Sequence, residues 1–147
     1  MSWHRVAVLA CLVAGLAACG PGKFQPPAET QAVKQREAEL ADIVSKATTQ
    51  EFRQAGTELT SRCAVRLLRE TPPASYVTAS CEWPVGHGEM GGETTELVIV
   101  GRSIKRPQDG DGNAAAIRRL FPKDIADALL SHGSERLYPH LSPSPAP

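Results

Sequence analysis

Few residues of this chain have side chains suited to catalysis or to metals. Its four cysteines stand at positions 11, 19, 63 and 81, and its four histidines at 4, 87, 132 and 140. His87, Glu89 and Met90 share a Gly-rich stretch, residues 84–93, that ends near Glu93. A copper or zinc site needs three or four ligands converging on the ion. That stretch supplies too few unless His132 or His140 folds back onto it, so it reads as a surface loop. Glu89 and Glu93 are two acids in one loop, the minimum equipment of a glycosidase, but a chain this short leaves little room for a sugar cleft. Asp109-Gly110-Asp111-Gly112-Asn113 opens like a calcium loop. Such a loop needs Gly at its sixth place and a bidentate Glu at its twelfth, and those places hold Ala114 and Leu120. There is no G-x-S-x-G elbow and no phosphate-cradling Gly loop ahead of a helix. The expectation is a protein that acts by binding, with no catalytic residue, no metal and no cofactor.

The cysteines say more. An early basic residue, Arg5, precedes an apolar run over 6–18 that stops at Leu16-Ala17-Ala18-Cys19. Thirteen apolar residues are too few to cross a bilayer, which takes ~20, but they suit the apolar region of a secretory signal. Gly20-Pro21-Gly22 follows at once and breaks any helix. Residues 1–20 resemble the signal peptide of bacterial lipoproteins, whose lipobox is Leu, two small residues and a lipidated cysteine. The alternative is an ordinary signal peptide with a cysteine near its cut. The resemblance implies cleavage before Cys19, diacylglycerol on its thiol and acylation of its amine, including palmitate. Two or more chains anchor stably at ~0.8 kcal/mol per buried methylene. It also implies an outer-membrane destination, because Gly20 and not Asp follows the cysteine. Cys11 then leaves with the signal and Cys19 is consumed by lipid. Cys63 and Cys81 remain, an even number for an oxidising compartment.

A chain of 129 residues would remain after residue 18, enough for one domain. Over the whole sequence 16 Lys and Arg balance 16 Asp and Glu. Neutrality gives no broad field to gather nucleic acid, and none is expected as a partner. The balance is uneven: residues 19–100 hold 8 basic and 11 acidic residues, and residues 101–147 hold 7 and 5. Arg118, Arg119 and Lys123 form the candidate docking group, with Arg102, Lys105 and Arg106 near them in sequence. The plainer reading is a solvated helix face.

Residues 19–27 read as a lipidated tether. Over 28–47, Val33, Leu40, Ile43, Val44 and Ala47 recur at helical spacing. Thr48 and Glu51 match a capping box, which predicts a new short helix carrying Phe52; one helix over 28–55 is the alternative. Residues 63–70 fold back on 74–83 about Pro72, with paired positions summing to 144. Cys63 then opposes Cys81, Val65 opposes Ala79 and Leu67 opposes Val77, all on one face. Opposed cysteines in a non-hydrogen-bonded pair lie close enough for a disulfide. On the mixed face, Leu68 meets Tyr76 and Glu70 meets Ala74. Pro73 excludes a tight left-handed turn, so a wider loop at 71–74 is expected. Residues 94–104 read as a third strand, with Gly101 a bulge or close approach. Asn113 is placed to cap a helix over 114–121. Pro122 opens another that Gly133 ends.

The expected fold is α+β: an N-terminal helix, a three-stranded mainly antiparallel sheet with a disulfide-bridged hairpin, and two short C-terminal helices, all on one sheet face. The domain spans 28–137, and 138–147 form a Pro-rich disordered tail. The expected role is that of a lipid-anchored envelope lipoprotein. It would bind an envelope protein or serve as an accessory subunit of an assembly or secretion machine. An inhibitor or immunity-type lipoprotein is the rival reading, and a small hydrolase or metal carrier a third. Oligomeric state stays open.

Overall fold

The computed structural model describes residues 24–141. The signal-like segment, Cys19 and the tail from 142 onward lie outside them. Helix α1, Gln31–Gln54, opens where Thr30 Oγ1 accepts the Val33 N–H at 3.2 Å, satisfying one of the first-turn donors. It runs unbroken through Thr48, so the second helix expected there does not exist. Thr48 is only 2 % exposed and faces the sheet, where Arg106 donates to its hydroxyl. A side chain used for packing cannot also cap. The helix ends at Ala55, and Gly56 with φ 79° turns the chain away.

Four strands follow in chain order: β1 Arg62–Thr71, β2 Ala74–Gly86, β3 Glu89–Val100 and β4 Ser103–Lys105. They form one antiparallel sheet in the order β1-β2-β3-β4. Cys63 opposes Cys81, Val65 opposes Ala79 and Leu67 opposes Val77, the expected register. Beyond Leu67 a bulge intervenes, so that Arg69 meets Tyr76 and Thr71 meets Ala74. The expected Leu68–Tyr76 and Glu70–Ala74 pairs are therefore absent. Leu68, 1 % exposed, is spent on packing. The extra residue lets Pro72-Pro73, joined by a cis peptide, close the hairpin as a two-residue turn in place of a wide loop.

The Gly-rich stretch is not a loop either. It is the far end of the long β2–β3 hairpin, where Trp83 faces Gly91 and Pro84 faces Met90. His87 and Gly88 make the turn with φ of 52° and 78°. Two successive positive φ values match the right-handed twist of the strands. At the other end Gly101, φ 63°, turns β3 into β4, which splits the expected third strand and gives the sheet its fourth.

Helices cover both faces of the sheet, not one. Leu40 and Val44 of α1 pack on Cys63, Val65, Leu67, Val77, Ala79, Cys81, Leu97 and Ile99. Helices α2, Asn113–Leu120, and α3, Lys123–Leu129, cover the other face. There Ile117, Phe121, Ile125, Ala126 and Leu129 meet Leu68 and Val98, joined by Leu137 from a closing 3₁₀ turn. The unbroken apolar run from Leu97 to Val100 has its cause here, because consecutive residues point to opposite cores. Asn113 is the first residue of α2, not its cap, and a 3₁₀ turn at Gly110–Gly112 leads into it. Helix α3 stops at Leu129, before Gly133.

Both boundary segments touch the domain. Phe24 packs against the second core. Ser80 donates to the Pro139 carbonyl at 2.7 Å, and Tyr138 donates to Glu96.

Candidate functional site

Cys63 and Cys81 come together as expected. Their Sγ atoms stand 2.09 Å apart and their Cα atoms 4.0 Å apart. The pair lies beneath α1, 8 % and 2 % exposed. Ser45 of α1 accepts the Cys63 N–H at 3.0 Å, and Ser61 Oγ sits 3.4 Å from Cys63 Sγ. With so little exposure and polar neighbours already engaged, the pair ties β1 to β2 and offers no open thiol chemistry.

The basic residues of the C-terminal part do not form one patch. Arg118 and Arg119 end α2, exposed to solvent. Among the described residues neither has an ion-pair partner. Lys123 starts α3 and gives its ammonium to Asp127 at 2.6 Å. Arg106 lies elsewhere, bridging Glu93 of β3 at 3.2 Å and Glu51 of α1 at 3.3 Å. Lys105 and Arg102 belong to β4 and the turn before it. Of the expected docking group, Arg118 and Arg119 are exposed and Lys123 is paired with Asp127.

The acids and histidines stay apart. Glu89 and Glu93 are four residues apart on β3, about 13 Å at strand rise. Glu93 is held by Arg106. His87 is at the hairpin turn, while His132 and His140 follow α3 and the closing turn. Among the described residues no three His, Cys, Asp or Glu side chains gather as metal ligands would. Asp109 and Asp111 flank the start of the 3₁₀ turn before α2, both exposed.

Compared with protein families, characterised proteins and solved structures, the chain matches none. No described helix is long and apolar enough to cross a membrane.

Two surfaces escaped the sequence reading. A groove of about 630 Å³ runs beside α1, lined by Ser45, Lys46, Thr49, Arg53, Thr60 and Ser61. Its signal in the sequence was Ser45 and Thr49, one helical turn apart on a polar side of α1. The second surface is the β2–β3 hairpin beyond β1, an arm whose Val85 and Met90 are 52 % and 55 % exposed. Trp83 roots the arm, with its ring 4.9 Å from Phe52 of α1. Gly91 faces that ring: a Cβ there would lie 2.6 Å from Trp83 Nε1 and 2.9 Å from Val85 Cγ1. The glycine is thus required by close approach.

Electrostatics elsewhere serve the fold. The Arg69 guanidinium holds the Asp124 carboxyl below its ordinary range, clamping β1 to α3. Burial first, and the Glu96 carboxylate second, push the Tyr138 phenol far above its ordinary value.

Proposed function

We propose that this chain is a lipid-anchored, extracytoplasmic binding or structural lipoprotein of the bacterial envelope. It is held in the outer membrane by acyl groups on Cys19 and serves as an accessory subunit of an assembly or secretion machine. The observation that carries the reading is Leu16-Ala17-Ala18-Cys19 at the end of a short apolar run. The pairing of Cys63 with Cys81 across β1 and β2 supports an oxidising compartment. Arg118 and Arg119, without an ion-pair partner among the described residues, and the apolar arm tip supply surfaces for docking.

Mass spectrometry of the membrane fraction tests the anchor. An acylated peptide beginning at Cys19 is expected, together with release of a Cys19→Ala variant from the membrane. An unmodified N-terminus elsewhere, or a variant that stays membrane-bound, would remove the proposal.

A further inference from the structure

We infer that the domain stands end-on to its membrane, with the surface around Phe24 against the lipid headgroups and the β2–β3 arm pointing away. The inference rests on the anchor reading above. Five residues lead from Cys19 to Phe24. An extended residue spans at most ~3.6 Å, so at most about 18 Å separates the Cα of Cys19 from that of Phe24.

Phe24 is pinned. It packs on the core formed by Leu68, Phe121 and Ile125, and the Arg69 guanidinium lies 5.8 Å over its ring. That guanidinium is tied in turn to Asp124. The tether expected over 19–27 therefore ends at the residue before Phe24, and the domain loses the reach of the last four.

The place of the pin sets the orientation. Arg69 faces Tyr76, close to the Pro72-Pro73 turn, and the Tyr76 ring is 5.8 Å from Phe121. Gly86 ends β2 ten residues further on, about 33 Å away at ~3.3 Å per residue. Helix α1 runs the same way, with Arg36 beside Glu70 near the turn and Phe52 against Trp83 at the root of the arm. A tether of ~18 Å is too short for the domain to stand on its arm, which would lift the packed Phe24 end about 33 Å from the bilayer. Lys123, its side chain 89 % exposed while its ammonium meets Asp127, adjoins Asp124 at the pinned end. Val85 and Met90 stand clear of the lipid.

Trp83 is the only tryptophan after Cys19 and reports on the arm. The full lipidated chain is placed in phosphatidylcholine vesicles carrying a nitroxide on the headgroup, which quenches only nearby indoles. Trp83 emission should be unchanged. In a Trp83→Phe background, Phe24→Trp should lose most of its emission, and so should Lys123→Trp, a probe that leaves the core untouched. Inserting about ten Gly and Ser residues before Lys23, a flexible addition, should restore much of the lost emission. Quenching of Trp83 as strong as at position 24, in chains that float with the vesicles, overturns the orientation alone. Lipidated preparations that do not float overturn the anchor reading and this inference with it.

Discussion

The backbone N–H of Leu67 donates to Glu37 Oε1 at 2.8 Å, across thirty residues of chain. Leu67 belongs to β1, an edge strand, and its outward N–H would otherwise face water. Two further bonds repeat the arrangement. Ser45 accepts from Cys63 at 3.0 Å, and Thr49 accepts from Ser61 at 3.0 Å. Positions 37, 41, 45 and 49 form one row along α1, and Ala41 is the member with no acceptor to offer. The row occupies an edge that could otherwise pair with another chain. A hydrogen bond to a charged group contributes ~1.5–3 kcal/mol. Glu37→Ala should lower unfolding stability by about 2 kcal/mol, and Ser45→Ala by about 1 kcal/mol, read by urea denaturation. A Glu37→Ala variant as stable as the parent would show that the row is incidental.

Removing the Cys63–Cys81 link should be more costly. The cysteines are 18 residues apart, for which chain entropy gives about 3 kcal/mol. The paired Cys63→Ala, Cys81→Ala variant should melt well below the parent in a thermal scan without reductant. Peptide mapping under non-reducing conditions should recover the two cysteines as one linked fragment.

Gly91→Ala tests the root of the arm. The added methyl must push the Trp83 ring off Phe52 or shift β3, and overpacking of this kind costs ~1–3 kcal/mol. Trp83 emission should move to longer wavelength as the indole meets water. Gly88→Ala has open space around its Cβ but a positive φ, so it should strain the turn and leave the emission maximum unchanged.

The hairpin shows how much of this was legible in the chain. Alternating side chains fixed the pairing from Cys63 to Leu67, because a one-residue slip would have buried Arg66. Leu68 broke the pattern for a reason absent from its neighbourhood: α2 and α3, fifty residues on, supply a second core that takes it. The glycines of the arm misled for a similar reason. Locally Gly signals a loop, but Gly91 is demanded by an indole on the opposing strand, a non-local cause. The Thr48 cap signal lost to burial against the sheet. The acids, histidines and basic residues are plain in the chain, yet only tertiary structure separates Arg106 from Arg118 and Arg119.

Alkaline pH should destabilise the fold through Tyr138. Its phenol donates to Glu96 and is half-buried, so ionisation is opposed in the folded state and its pKa is raised from an ordinary 10.0. A raised folded value means the contribution is fully present below the unfolded value. It is lost as pH climbs from there through the folded value. Denaturation midpoints measured from neutral pH upward should fall more steeply above the ordinary tyrosine value in the parent than in Tyr138→Phe.

Arg118→Glu with Arg119→Glu should leave the fold almost untouched, since exposed substitutions usually change stability by less than ~0.5 kcal/mol. Recovery of an envelope partner by cross-linking should drop in that variant. Recovery unchanged by the double reversal would exclude the pair as a docking element.

The clasp between α1 and β1 behaves like a vernier. A four-residue step along a helix advances about 6.0 Å, and a two-residue step along a strand about 6.7 Å. Between Thr49 and Glu37 the two scales therefore drift apart by about 2 Å. The side chains absorb the drift by their length: short hydroxyls serve at Thr49 and Ser45, and the longer carboxylate arm of glutamate reaches the far mark. A fifth rung would add about 0.7 Å more drift. The mismatch of two repeats thus makes side-chain length the quantity that must grow along a helix guarding a strand edge, and glutamate at position 37 is where it has grown.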